Sequence, residues 1–433
     1  MSGWLAKKAA WPTAVPEKTF QLVIGADTQV EVKVQHGGAQ EGREAVHIVT
    51  PTATGHGRAL IAADVAMHVV PPCAPYTHPS QEPNDNSLNA RSKRMARVEL
   101  VGGDELSLLN VWALTYIFFT LWPDQEYFVL QTRSAPSSDA WVVPMLASGL
   151  AVPHPADTQA RKTPVDTDAS GEVLVSRAAF WQGAGPLPAG GWVPVLDSDA
   201  TYPHLAQSHR AAPSGLAVGT LHPARVPKLG LWNVQHATLP LYRRYIPELG
   251  QTLTFRLASS LSDTDVGLLH RWHATDRVNT GWRQDMPREE HRKYLAEQEA
   301  SSDSIALIGE WDGQPFGYVE IYHAKENALR NYFDAGDYDR GFHALVGEEK
   351  FRGPHRVRSW MGSLIHLLFL LDPRTMRVVS EPRASNTKMV EYECMCGGHV
   401  EKLIDLPHKR AALVFIPRER FFQLCPVGPL PTV

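Results

Sequence analysis

The residues best able to do chemistry in this chain stand together in DRGFHALVGEEKFRGPHRVRSW, Asp339 to Trp360. Lys350, Arg352, Arg356 and Arg358 gather around Gly353, where an alternating run gives way to apolar residues at i, i+3, i+4, i+7 spacing. That spacing, through Val357, Trp360, Met361, Leu364, Ile365 and Leu368, predicts a helix over 355–371 with its apolar face in the core. Cations in a first turn face the positive end of the helix dipole, which is unfavourable unless an anion sits between them. A helix start after a glycine turn offers such an anion free backbone N–H groups. Pro354 can open the helix without forfeiting a needed donor. The same residues also read as a solvated charged turn, and spacing alone does not separate the two.

Three titratable residues lie close by in sequence. His343 is on the strand-like run, where alternation sets it and Leu345 opposite Phe342, Ala344 and Val346. Such a histidine is either a proton acceptor or a structural ring bonded to the backbone. Glu320, in PFGYVEIYH, shares a face with Phe316, Tyr318 and Tyr322. It is either the cation-binding end of a pocket or a surface acid on a half-exposed strand. Asp372, in LLDPRT, ends the helix where the dipole disfavours a carboxylate, so it either acts in a site or forms the turn before Pro373. Cys394 and Cys396 are close but have no second pair, so no metal site is expected. No Ser-His-Asp order, Walker loop, GxGxxG or HExxH occurs.

These residues need a scaffold, and the second half of the chain supplies a legible one. QTLTFRLAS reads as a strand, DTDVGLLHRWHAT and PREEHRKYLAEQEA as helices, and DSIALIGEW with PFGYVEIYH as a hairpin about an Asp-Gly turn. GFHALVG, MRVVSEP and AALVFIPRE read as further strands, and NTKMVEYECMCGG as a helix stopped by glycines. The order βααβββαβαβ predicts an α/β fold with a twisted sheet. The first 70 residues alternate like strands, residues 71–95 read as an exposed loop, and a buried helix follows at 104–121. From 134 to 240 the chain is dense in Pro, Gly, Ala and Ser and reads as long loops and a connector. Leu114, Phe119, Leu121, Pro123 and Val129 match Leu364, Phe369, Leu371, Pro373 and Val379 at an offset of 250. That match is either an internal duplication or coincidence between two helix–turn–strand units.

At 433 residues two domains are expected, divided as 1–240 and 241–433. A net charge of −4 with 43% hydrophobic residues fits a globular protein whose partners are small molecules, with no nucleic acid and no membrane. Four cysteines exclude a disulfide scaffold and fit a reducing compartment. VWALTYIFFTLW and LIHLLFLL are too short to span a bilayer. MSGWLAKKAAWP lacks the apolar core of a secretory signal, and GPLPTV is not a peroxisomal tripeptide. The expected location is cytoplasmic, with a peroxisomal one as the alternative. A homo-oligomer is left open.

The succession GFHALVG, EEKFRGPH, a helix, RVVSEPRASN and a second helix closing on Gly-Gly resembles the GCN5-related N-acyltransferases (GNAT). DRGFHALVG, GPHR, SLIHLLFLLDPRT, RVVSEP, PHKRAALV and RERFF narrow the resemblance to the siderophore-biosynthesis branch, above all the fungal N5-hydroxyornithine transacylases. It is strong over 250–425. The N-terminal half resembles the degenerate acyltransferase-like domain of those enzymes, with less motif support.

The resemblance implies a GNAT-type twisted mixed sheet flanked by helices, in two GNAT-like domains of which the first is degenerate. It implies acyl-CoA as co-substrate, anhydromevalonyl-CoA or acetyl-CoA, and direct transfer to the hydroxylamine nitrogen of N5-hydroxyornithine without a covalent acyl-enzyme. Hydroxylysine, lysine or another small amine as acceptor, and a non-catalytic binding protein on the same fold, are the competing readings. It places the pyrophosphate loop on Lys350, Phe351, Arg352, Gly353, Pro354 and His355, with Arg356, Leu345, Val346 and Asn386 also along the coenzyme. Lys350 stands where Gln or Arg is usual, and His355 where Gly or Ala is. His343 becomes the base, with Glu320 and Asp372 as further catalytic candidates. Trp272, His273, Asn279, Trp282, Gln284, Tyr318 and Tyr322 would border the acceptor. Relatives often carry a tyrosine seven residues after the Asn, thought to protonate the leaving thiolate; here that place is Glu393, with Tyr392 one position earlier.

Overall fold

The structure is a computed structural model. It describes residues 18–24, 28–40, 43–54, 65–72, 88–101, 106, 108–131, 141–154, 172–185, 192, 240–301, 304–372 and 374–427. The chain forms two compact units, Met1–Gly191 with Gly428–Val433, and Trp192–Val427.

The first unit is an eight-stranded sheet in the order β1-β2-β3-β4-β5-β6-β8-β7. Its strands are β1 (Lys18–Ile24), β2 (Thr28–Gln40), β3 (Arg43–Thr54), β4 (Val65–Val70), β5 (Arg97–Val101), β6 (Tyr127–Gln131), β7 (Ala151–Pro153) and β8 (Glu172–Ser176). All pairs are antiparallel except β5 with β6, which need a crossover and receive it from the buried α2 (Leu108–Leu121). Two expectations need correction here. The stretch read as a loop over 71–95 contains a helix, α1 (Leu88–Ser92). Within 134–240 lie α3 (Val142–Ala147), β7, β8 and α4 (Arg177–Trp181). These elements are three to six residues long, too short to show a period, and α4 is fixed by distant packing. Its Phe180 and Trp181 rings lie against Tyr116 of α2.

The second unit has strands β9 (Tyr242–Ile246), β10 (Gln251–Leu257), β11 (Ser304–Trp311), β12 (Gln314–His323), β13 (Arg340–Val346), β14 (Arg377–Ser380), β15 (His399–Leu406) and β16 (Lys409–Pro417). They are ordered β9-β10-β11-β12-β13-β14-β16-β15, with β13 and β14 the parallel pair. This is the topology of the first unit strand for strand, which supports duplication over coincidence. The units differ where it matters. Only residues 41–42 separate β2 from β3, whereas α5 (Asp263–His273), α6 (Asp276–Trp282) and α7 (Arg288–Ala300) stand between β10 and β11.

Local chemistry explains several boundaries. Ser262 caps α5 by accepting from Asp265 N, and Asp312 and Gly313, with φ of 48° and 75°, make the tight turn between β11 and β12. Helix α8 (Pro354–Leu371) crosses from β13 to β14 and is buried on all sides from Ser359 to Leu371. Helix α9 (Thr387–Met395) is capped by Asn386, and α10 (Arg418–Leu424) closes the unit. Helices α5–α7 bury Val266, Leu269, Trp272, Val278 and Leu295 against Ala306, Ile308, Tyr318 and Leu345 of the sheet. The expected element order omits β9, β15, α6 and α10. β15 is an edge strand with four successive exposed residues around a bulge, so it lacks the apolar alternation that marks a strand.

Candidate active site

β13 and β14 pair only at Arg340–Val378 and Gly341–Val379, and beyond that the ladder stops. Two residues further on, in the same register and on the same face, are His343 and Glu381. On the other flank Glu320 of β12 is the direct partner of His343. Glu320, His343 and Glu381 therefore form a row across three strands at the mouth of the split.

The contacts fix the charges. His343 Nδ1 lies 3.1 Å from Glu320 Oε2 and Nε2 lies 3.0 Å from Glu381 Oε1. Ionised carboxylates only accept, so both ring nitrogens donate and His343 is an imidazolium. Burial works against that charge, but the two carboxylates outweigh it and hold the pKa at about 10. Burial likewise pushes Glu381 up, yet His343 and Lys409 pull it down to about 2. Glu320 is also lowered, because His343 and two tyrosines overcome its burial. Tyr294 of α7 and Tyr318 both donate to Glu320 Oε1, the latter at 3.0 Å. Tyr322 donates to Glu381 Oε2 at 3.1 Å, and Lys409 Nζ to Glu381 Oε1 at 3.4 Å. Gly341 makes the Tyr322 contact possible, since a Cβ there would lie 2.3 Å from the Tyr322 ring.

Next to the row opens a cleft of about 680 Å³. Ala344, Leu345 and Val346 form one wall, and Asn386, Lys388, Met389 and Tyr392 of the α9 segment another. At one end are Phe351, Arg352, Gly353 and Pro354; at the other, Trp282, whose ring centroid is 6.3 Å from that of His343. Gly353 holds φ 128°, ψ 151° as the residue before α8, a conformation open to glycine. The His355 ring folds back over it, 2.6 Å from where a Cβ would be. A helix start at the lining of a cleft, with Arg352, Lys388 and Arg277 in the same lining, is a fit for the pyrophosphate of coenzyme A.

The other coenzyme candidates sit outside that lining. Lys350 donates to Gln314 at 2.8 Å and lies over the Phe351 ring. Arg356 donates to Gln251 at 2.7 Å and stacks on Trp311 and Phe351. Of the acceptor candidates, Trp282, Tyr318 and Tyr322 touch the row. His273 is fully buried, with Nδ1 3.1 Å from His291 Nε2, and burial first and His291 second press its pKa to about 4. Trp272 is core and donates to Glu348 Oε1 at 2.9 Å. Asn279 accepts from Asp285 N at 3.2 Å, and Gln284 presents an Oε1 without a partner. Asp372 stands apart at the far end of α8, roughly 27 Å from Pro354 by helix rise. Both its oxygens are held by Arg374, at 2.6 and 2.8 Å.

Reading the sequence residue by residue misses Glu381, Tyr294 and Lys409. Glu381 stands in RVVSEP, where the signal was an acid just past a strand running parallel to the histidine strand. Glu393 faces inward, accepts from Ser380 Oγ at 2.7 Å, and is pushed up to about 8 by burial, so it is neutral at pH 7. Tyr392 lines the cleft instead. Among the described residues no group of three or more His, Cys, Asp and Glu could hold a metal ion, and no helix is long and apolar enough to cross a membrane.

Residues 262–406 match the acetyltransferase (GNAT) domain family. The chain is 38% identical over 371 residues to the N(5)-hydroxyornithine:cis-anhydromevalonyl coenzyme A-N(5)-transacylase of Beauveria bassiana, covering 79% of this chain and 80% of that one. It is 36% identical to the hydroxyornithine transacylase of Ajellomyces capsulatus, over 80% and 79% of the two chains. Acyltransferase ato1 of Omphalotus olearius is 32% identical over 94% of this chain and 93% of its own.

Proposed function

Because the chain belongs to the GNAT acyltransferase family of these fungal enzymes and is a CoA-dependent N-acyltransferase, we propose that its reaction is transfer of an acyl group from CoA to the hydroxylamine nitrogen of N5-hydroxyornithine, in hydroxamate-siderophore synthesis. The observation that carries this reading is the Glu320–His343–Glu381 row at the mouth of the β13–β14 split. The coenzyme supplies the thioester. Beyond Gly341 the edge of β13 has no β14 partner, so it can receive an extended arm as it would a strand. Arg352, Lys388 and the α8 start hold the phosphates.

A hydroxylamine nitrogen is far less basic than an alkyl amine and arrives neutral, so a strong base is not needed. In the resting row one proton sits on the imidazole between two anionic carboxylates. As the C–N bond forms and the C–S bond breaks, the nitrogen's proton passes to a carboxylate of the row, and His343 keeps that charge balanced. Tyr392 supplies the proton for the leaving thiolate and regains one from solvent, to which the row gives up the proton it took, so both return to their resting states. Tyr294, Tyr318 and Tyr322 hold the carboxylates in place, and Trp282 covers the row. The N-terminal unit repeats the fold without the helices that border the acceptor and serves as a non-catalytic domain. Thiol release should be measured from anhydromevalonyl-CoA and acetyl-CoA with hydroxyornithine, hydroxylysine and ornithine. Turnover with hydroxyornithine is expected; background rates with every hydroxylated acceptor would end the reading.

A further inference from the structure

Beyond Glu381 the chain folds back so that Arg383 bridges to Ala411, and Ala384 N donates to Arg410 O at 3.0 Å. Arg383 thus lies beside the β15–β16 turn that carries His408 and Lys409. Arg283 stands in the left-handed conformation (φ 57°, ψ 42°) at the end of α6, directly after Trp282. Burial first, then the charges of Lys409, Arg383 and Arg283, hold the His408 imidazole below its ordinary pKa, so all three cations act on one ring. Lys409 has Glu381 as partner. Among the described residues neither Arg283 nor Arg383 reaches an acid, and Arg383 Nη2 is buried without a hydrogen-bond partner. Cations gathered this way repel each other, and an unpaired buried N–H is costly to keep. An anion between them would remove both costs.

We propose that Arg283 and Arg383, with Lys409 beside them, bind the α-carboxylate of the acceptor, which is therefore an amino acid and not its decarboxylated amine. The proposal rests on the reading of the Glu320–His343–Glu381 row as the reacting centre. Position argues for the acceptor over the coenzyme. The phosphate end of the cleft is at Gly353 and neither arginine lines it, whereas Arg383 comes two residues after Glu381 and Arg283 directly after Trp282, whose ring centroid is 6.3 Å from that of His343. The planar guanidinium fork also suits a carboxylate.

The test compares hydroxyornithine with its decarboxylated counterpart, N-hydroxy-1,4-diaminobutane, by thiol release from one acyl-CoA, in the wild type, Arg383→Gln, Arg383→Lys and Arg283→Gln. Arg383→Gln should raise KM for hydroxyornithine about 10- to 100-fold, the loss of one charge-assisted pair, with kcat within about threefold. KM for the decarboxylated acceptor should stay within about threefold, and Arg383→Lys should recover part of the loss. An equal loss on both acceptors, or a rise in the acyl-CoA KM instead, overturns the proposal. Should the wild type acylate neither acceptor, the parent reading fails. Calorimetric titration of ornithine against 1,4-diaminobutane then decides the carboxylate site by itself. Binding of ornithine alone, lost in Arg383→Gln, sustains the site, and equal or absent binding of the two overturns it.

Discussion

His343 and Glu381 are joined by a 3.0 Å hydrogen bond across the point where β13 and β14 cease to pair. They are the next same-face register pair after Gly341 and Val379, so the bond closes the ladder by side chains where the backbone no longer does. A protonated ring shared between acids on neighbouring strands is both a structural tie and a place to move a proton.

Replacing His343 with Gln should therefore lower kcat by about two orders of magnitude or more, with acyl-CoA affinity within about threefold. Single-turnover acyl transfer and CoA titration separate the two. A fall in affinity alone would make His343 a binding residue.

The raised pKa of His343 has a signed consequence for stability. Its unfolded value lies near 6.5 and its folded value near 10, so the folded state holds the extra proton between them. That contribution is complete below about pH 6.5 and is lost as pH rises toward about 10. Thermal melts of the wild type should fall across this window, and His343→Gln should flatten the fall. Parallel curves would mean that the ring is not charged in the folded protein.

Gly341 lies under the Tyr322 ring, and an added methyl would stand 2.3 Å from it. Gly341→Ala should displace Tyr322 from Glu381, lower kcat at least about tenfold, and cost about 1–3 kcal/mol of stability. Denaturant melts and kinetics on the same preparation check both; a fully active variant would show that Tyr322 does not position Glu381.

At the other end of the cleft, Gly353→Ala should weaken CoA binding about tenfold or more, since φ 128° and the His355 ring both resist a Cβ. Arg352→Ala should weaken it less, because Arg352 is exposed and already paired with Glu349 at 2.7 Å. Equal affinity in both variants would move the phosphate site elsewhere.

Tyr392→Phe should reduce kcat, and more for CoA as leaving group than for a more acidic aryl thiol whose thiolate needs no proton. Glu393→Gln should leave kcat nearly unchanged, because Glu393 is already neutral and turned to Ser380. The reverse pattern would assign the leaving-group proton to Glu393.

Much of this protein is determined by sequence alone. The apolar period from Val357 to Leu368 dictates α8, Gly353 and Pro354 dictate where it starts, and Asp312-Gly313 dictates the hairpin that carries Glu320. Alternation along β12 and β13 already puts Glu320 and His343 on chosen faces, because a strand has only two. Tertiary structure alone decides who meets whom. Register makes Glu320 and Glu381 the two neighbours of His343, although they lie 23 and 38 residues away in opposite directions along the chain. It also turns His343 from a resting base into an imidazolium, since a pKa depends on what surrounds a ring and not on its place in a motif. Asp372 shows the same limit from the other side: local sequence offers it to the site, and the length of α8 carries it away.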